Sequence, residues 1–211
     1  MFLNRTAFAL MAFFTALASF GTAQDEKPVD ILLRGATLYD GVAVEPTQGD
    51  VAIRGDRIVA IGKSLDVSAI WKIDCSNHVI CPGFIDLHNH SDRRIVKAAT
   101  RANMNFVTQG CTTVVTGNCG SGPVDVAAYY QTLKEHGAGT NVAHLLPQGS
   151  LRDRVMGTTL REPTDEELAE MASLAEKAMS DGAWGMSTGL IYVPSSYAKT
   201  DELIGLAKIV S

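Results

Sequence analysis

The sequence predicts an α/β fold, a small β-sandwich-like domain followed by the first half of a (β/α)8 TIM barrel that is incomplete within these residues. Three observations predict it. Short alternating apolar segments fill Asp30 to Asp74, and after Pro82 longer apolar runs alternate with helical stretches. A strand and a helix recur about every 30 residues there, the period of a βα repeat. The expected domains are 1–23, an export signal; 24–81, the small β domain; and 82–211, the truncated barrel portion.

The leader comes first. Arg5 precedes an apolar stretch from Ala7 to Phe20, and the small residues Gly21-Thr22-Ala23 follow it. At about 14 residues the stretch is shorter than the ~20 that a helix needs to cross a bilayer. That layout is a signal peptide rather than a stable membrane anchor, and it implies a secreted or periplasmic protein. Export to an oxidising compartment makes Cys75, Cys81, Cys111 and Cys119 candidates for disulfides, with metal ligation the competing use. Their number alone does not choose between the two.

In the β segment, Ile31-Leu32-Leu33, Val51-Ala52-Ile53-Arg54 and Arg57-Ile58-Val59-Ala60-Ile61 read as a meander. Gly55-Asp56 makes a two-residue turn between the last two, with glycine at the position where a type II′ turn needs positive φ. Beyond Pro82, buried parallel strands are expected at Gly83 to His88, Cys111 to Thr116, Asn141 to Leu146 and Trp184 to Leu190. Helices are expected near Arg94 to Gln109 and Val124 to His136, ended by Gly110 and Gly137. Thr164 and Glu167 form a capping box ahead of a helix over Asp165 to Ser180, stopped by Gly182. A last helix starts at Thr200 with the apolar face Leu203, Leu206, Ala207 and Val210, and runs into the final residue. From Gly83 to Ser211 there are about 129 residues, against ~250 for a closed barrel. About four of eight units are therefore expected, with open sheet edges.

A hydrophobic content of 46% supports a packed core, and a formal charge of −5 lacks the clustered cations that phosphate recognition requires. Nucleic acid is thus excluded as a partner, and small molecules are favoured. The candidate chemistry begins at Pro82-Gly83-Phe84-Ile85-Asp86-Leu87-His88-Asn89-His90. Two histidines two apart at the end of a strand point to the same side, so both imidazoles can reach one metal ion. The bland alternative is a solvated loop with two unrelated histidines. Asp86 shares that face and either orients a ligand or caps a backbone turn; Asp92 is equally open. His78 and His136 read as surface residues.

The segment Pro82 to His90 resembles the first-strand motif of the amidohydrolase superfamily. Within it, Asn105 to Gly120, Arg152 to Gly157 and Ser187 to Pro194 resemble the D-aminoacylase (N-acyl-D-amino-acid deacylase) family, with similarity over about Asp30 to Ser211. The resemblance implies Zn2+ as cofactor, held by His88, His90 and Cys119. It also implies two later histidines and a catalytic aspartate beyond residue 211, so the fragment alone is expected to be inactive. For Cys119 the alternatives are a disulfide with Cys111 or an inert buried thiol. The resemblance places a substrate-contacting tyrosine at Tyr192, which could equally be a core or rim aromatic. One departure is visible: Gln148 stands where the family commonly has a histidine, and an amide hydrogen-bonds without titrating. His144 is the nearby imidazole that could compensate. The implied reaction is hydrolysis of an N-acyl-D-amino acid to a carboxylate and a free D-amino acid. The alternatives are a cyclic-amide hydrolase of dihydroorotase or hydantoinase type, and an inactive secreted domain with Cys119 in a disulfide.

Overall fold

The computed structural model describes residues 27–211, so the leader expected at 1–23 lies outside the described residues. Among the described residues no helix is long and apolar enough to cross a membrane. The chain divides into two compact units between Cys81 and Pro82.

The first unit is built from β1 (Val29–Leu38), β2 (Thr47–Arg54), β3 (Arg57–Gly62), β4 (Ala69–Asp74) and β5 (Val79–Ile80). The hairpin forms as expected: β2 and β3 pair antiparallel, with Arg54 opposite Arg57. Gly55 takes φ +58° while Asp56 stays at negative φ, which is the type II′ combination. The meander does not continue, because β4 and β5 both pair parallel to β1. In the strand order β3-β2-β1-β4 the chain must cross the sheet after β3. That crossing carries Leu65 and Val67, which pack on Val29, Leu32 and Ala52. The buried Asp50 carboxylate accepts from Leu65 N (3.0 Å) and Gly35 N (2.8 Å), and these amides hold it below the usual carboxylate range. Among the described residues the unit has one five-stranded sheet. A second layer of the expected sandwich-like pair is not among them.

In the second unit β6 (Phe84–Asp86) leads to α1 (Asp92–Ile95), α2 (Met104–Val107) and β7 (Cys111–Thr116). Then come α3 (Val126–His136), β8 (Asn141–His144), β9 (Leu146–Pro147), α4 (Gln148–Met156), α5 (Asp165–Ser180), β10 (Met186–Ser187) and α6 (Thr200–Val210). β6, β7 and β8 form a parallel sheet in that order, and β9 pairs parallel with β10. Hydrogen bonds from Trp184 N to His144 O (2.9 Å) and from Leu146 N to Gly185 O (2.8 Å) carry the ladder across. The parallel strands thus follow one another in space as they do in sequence, with helices after β6, β7 and β9.

Local signals were reliable where partners are close in sequence. The Thr164 hydroxyl accepts from Glu167 N (3.2 Å) and the Glu167 carboxylate accepts from Thr164 N (2.9 Å). Arg161 also binds that carboxylate and pulls its pKa down to about 2. Asp125 caps α3 by accepting from Ala128 N. Tertiary contacts changed the rest. The helix expected over Arg94 to Gln109 is two single turns, because Asn103 sits at φ +50° and donates its amide to the buried Thr140 hydroxyl at 3.1 Å. The strand expected over Trp184 to Leu190 shrinks to β10, because the chain then turns to bring Gly189 against the Cys119 carbonyl. On α6 the buried face holds Leu206 and Glu202, while Ala207 is exposed.

Met171, Leu151, Leu206, Leu146 and Val126 form the main core between the helices and β9. Each such side chain contributes about 1.5–3 kcal/mol on burial. Ile95, Val114 and Tyr129 form a second cluster under β7. The second cluster holds β7 through Val114 and packs α1 against it through Ile95.

Candidate metal centre

β6 ends at Asp86, so His88 and His90 lie beyond the strand and not on it. Strand alternation therefore is not what aligns them. The Asp86 carboxylate accepts from His88 N at 2.9 Å, a turn cap that bends the chain past the strand end. Asn89, between the two histidines, donates its amide to Val115 O at 3.1 Å and accepts from Ser91 Oγ at 2.7 Å. One turn of chain is thereby bolted to the end of β7.

The third side chain arrives from β7. Gly117 takes φ +78° and Cys119 itself takes φ 54°, ψ 31°, a left-handed conformation that a non-glycine residue rarely adopts. Surrounding hydrogen bonds impose it. Asn118 donates to the same Val115 O at 2.8 Å, Gly120 N donates to Ser187 Oγ at 3.0 Å, and Ser187 Oγ donates to Gly117 O. A side chain at Gly117 would place its Cβ 2.1 Å from Leu145 O, so the loop fits only glycine there.

The result is a compact donor set. His88 Nε2 lies 3.2 Å from Cys119 Sγ, the two imidazole centroids are 5.7 Å apart at 68°, and one ligand atom from each of His88, His90 and Cys119 falls within 4.8 Å of the others. Nitrogen and sulfur bound tetrahedrally to one Zn2+ are separated by ~3.5 Å, so these separations suit a common ion after small side-chain adjustments. Two imidazoles and a thiol are also the donor chemistry that zinc prefers. All four cysteines are unpaired in this structure, and the Cys119 sulfur faces the imidazole of His88 and not a second sulfur. Cys75 is buried, Cys81 exposed and Cys111 partly buried.

His90 and Cys119 line a cleft of about 550 Å3, whose walls also include Arg93, Ser150, Tyr192 and Ser195. Tyr192 is 58% exposed and stands on the cleft wall, not in the core. Asp92 is buried at the start of α1 and lies outside the trio. His144 is also apart from it. Its ring is fully buried, with Nε2 donating to Pro123 O at 2.9 Å and Nδ1 2.8 Å from Thr116 Oγ1. Burial holds its pKa below the ordinary histidine value. It stands as a buried prop behind the Gly117 turn, where its Cε1 would lie 2.7 Å from any Cβ at that glycine. Gln148 is buried too, and no part of the donor set. His78 and His136 are exposed.

Sequence reasoning missed Asn89, Asn118 and Ser187, which hold the donors in place. Their one sequence signal is position, since asparagines that flank ligands just past strand ends are suited to side-chain-to-backbone bonds.

No protein-family model matches the chain. It is 39% identical to a D-aminoacylase of Alcaligenes xylosoxydans xylosoxydans, across 89% of this chain and 43% of that protein. In structure it is similar to a D-aminoacylase whose crystal structure is described as defining a novel subset of amidohydrolases, with a TM-score of 0.79 and 34% identity over 86% of this chain and 43% of the other. It is likewise similar to the N-acyl-D-glutamate deacylase of Bordetella bronchiseptica, solved with zinc and a phosphonate that mimics the tetrahedral intermediate. There the TM-score is 0.79 and the identity 32%, over 87% of this chain and 43% of the other. The chain thus spans a little over two-fifths of the length of the relatives that it matches.

Proposed function

The chain belongs to the D-aminoacylase family of the amidohydrolase superfamily, and on that premise we propose that it provides the zinc-binding front of an enzyme hydrolysing N-acyl-D-amino acids. The products are a carboxylate and a free D-amino acid. One observation carries the reading: His88, His90 and Cys119 bring their ligand atoms within 4.8 Å of one another, and His90 and Cys119 line a cleft. The parallel strands β6 to β10 are read as the first half of a (β/α)8 barrel, with the donors past the carboxyl ends of its first two strands, where barrel active sites lie. Residues 24–81 are read as the accompanying small β domain, and 1–23 as an export signal that places the enzyme outside the cytoplasm.

His88, His90 and Cys119 are the residues proposed to hold the ion. Zinc bound there supplies Lewis-acid polarisation of an acyl carbonyl and lowers the pKa of water. The chain's own residues do the positioning. Asn89 and Asn118 fix the two ligand turns on one carbonyl, and Tyr192 offers a phenol hydroxyl to a substrate lying in the cleft. The later histidines and aspartate that the resemblance implies fall outside these residues, so turnover is proposed for a polypeptide that carries them and not for residues 1–211 alone.

A cyclic-amide hydrolase is the weaker reading, because the Asn118-Cys119-Gly120 turn is part of the likeness to the deacylases. The test is to assay the longest natural polypeptide carrying this sequence on N-acetyl-D- and N-acetyl-L-amino acids, beside its Cys119→Ala variant. Hydrolysis of the D series, lost together with zinc in the variant, is the expected result. Equal zinc content and unchanged activity in the variant would defeat the assignment.

A further inference from the structure

Away from the metal centre, four bonded polar side chains are almost inaccessible: Gln148 0%, Arg152 0%, Ser195 2% and Glu202 3% exposed. Burying polar groups this deeply is costly unless most of their atoms are paired. They come from three places in the chain, the first turns of α4, the turn at Ser195 and the first turn of α6. Gln148 Nε2 donates to Glu202 Oε1 at 2.9 Å, and Arg152 forms an ion pair with the other oxygen of the same carboxylate. Ser195 Oγ donates to Gln148 Oε1 and lies 3.4 Å from the donor Gly189 N. A line of bonds therefore runs from the Glu202 carboxylate through the Gln148 amide and the Ser195 hydroxyl to the backbone of Gly189.

Its far end meets the site. A Cβ on Gly189 would lie 2.0 Å from Cys119 O, so Gly189 is in direct contact with the ligand-bearing turn. Between Gly189 and Ser195 stands Tyr192, and Tyr192, Val193, Pro194 and Ser195 together form one wall of the cleft. Pro194 is buried and Tyr192 N donates to Gly189 O, but Leu190, Ile191, Tyr192 and Val193 are all at least half exposed. Few buried apolar contacts make a segment prone to local opening. The side-chain bond that ties its two ends to the core is made by the buried hydroxyl of Ser195, and Gln148 orients that hydroxyl.

We propose that Gln148 is a positioning residue, whose amide, braced by Glu202 and Arg152, clamps the Gly189–Ser195 wall of the cleft through Ser195. An amide fits the post because it donates and accepts at once: its NH2 faces a carboxylate and its oxygen faces a hydroxyl. A hydrocarbon of similar size fills the space and does neither. A neutral imidazole can do both, one nitrogen for each partner. The effect on catalysis rests on the deacylase reading above; the clamp itself does not.

The test is therefore made in two parts. Amide hydrogen exchange is measured on the 211-residue protein and on its Gln148→Leu and Gln148→His variants. In Gln148→Leu the amides of Gly189 to Tyr197 are expected to exchange about tenfold faster or more, with those of α5 unchanged. Gln148→His, measured at pH 8 where an ordinary histidine is neutral, restores protection to within about threefold. Unchanged exchange over Gly189 to Tyr197, or a histidine variant no better than leucine, overturns the clamp. If Gln148→Leu loosens the whole unit, Ser195→Ala decides, because it leaves the Gln148–Glu202 pair intact: local loosening supports the proposal and wild-type protection refutes it. In the longest natural polypeptide carrying the sequence, KM for an N-acyl-D-amino acid is expected to rise about tenfold in Gln148→Leu at similar kcat and equal zinc content. A wild-type polypeptide that turns over no such substrate defeats the deacylase reading and leaves the exchange result standing.

Discussion

Asn89 and Asn118 donate their side-chain amides to one and the same acceptor, Val115 O, at 3.1 and 2.8 Å. One asparagine sits between the two histidines and the other immediately precedes the cysteine. A single carbonyl at the end of β7 thus ties together two turns that are about thirty residues apart in sequence. Partners of this kind typically change metal affinity 10- to 100-fold when removed. Asn118→Ala is expected to weaken zinc binding by about that factor, measured by competition with a chromophoric chelator; unaltered affinity would show that the shared carbonyl does not hold the donors.

The Gly117 turn is the second fixed point. Its φ of +78°, together with the 2.1 Å that would separate a Cβ from Leu145 O, leaves no room for a side chain. Gly117→Ala is expected to lower unfolding free energy by at least about 1–3 kcal/mol, the usual cost of a forced left-handed residue, read as a lower urea midpoint at unchanged slope. A midpoint equal to wild type would mean that the turn is not constrained.

His144 gives a pH dependence whose sign follows from its environment. Burial depresses its folded-state pKa, while the unfolded chain protonates it with an ordinary pKa near ~6.5. Below that pH the unfolded state takes up a proton that the folded state resists, so stability present at higher pH is lost as pH falls. Urea unfolding at pH 8 and pH 5.5 should show a larger loss for wild type than for His144→Gln, whose amide can serve both Pro123 O and Thr116 Oγ1. Equal losses would indicate that His144 does not titrate on unfolding.

Arg152 and Glu202 make a buried ion pair with both side chains almost fully inaccessible. Removing one partner from such a pair leaves an uncompensated charge and costs about 3–5 kcal/mol. Arg152→Met is expected to lose that much stability in denaturant titration, and Arg152→Met with Glu202→Gln to recover part of it. A single variant as stable as wild type would imply that the pair is open to solvent.

The features legible in the sequence are those whose partners are near in the chain. The Thr164–Glu167 box fixed the start of α5, Gly55-Asp56 fixed the hairpin, and the His88, Asn89, His90 string announced the donors. The means of convergence was not legible: β6 stops at Asp86, and the imidazoles meet through an aspartate-capped turn and two asparagine bonds to β7. Nor was the split of the Arg94–Gln109 helix, which depends on Asn103 finding Thr140 on another element. The Gln148, Arg152, Ser195 and Glu202 line was hidden for the same reason. Its bonds between elements span 47 to 54 residues, and in a sequence an isolated polar residue reads as surface.

The central claim is that His88, His90 and Cys119 bind one metal ion together, and cobalt(II) titration of the 211-residue protein tests it most directly. Saturation at one equivalent is expected, with a thiolate-to-cobalt charge-transfer band that disappears in Cys119→Ser and weaker binding in His88→Ala and His90→Ala. A band that persists in Cys119→Ser, or binding indifferent to all three substitutions, would contradict it.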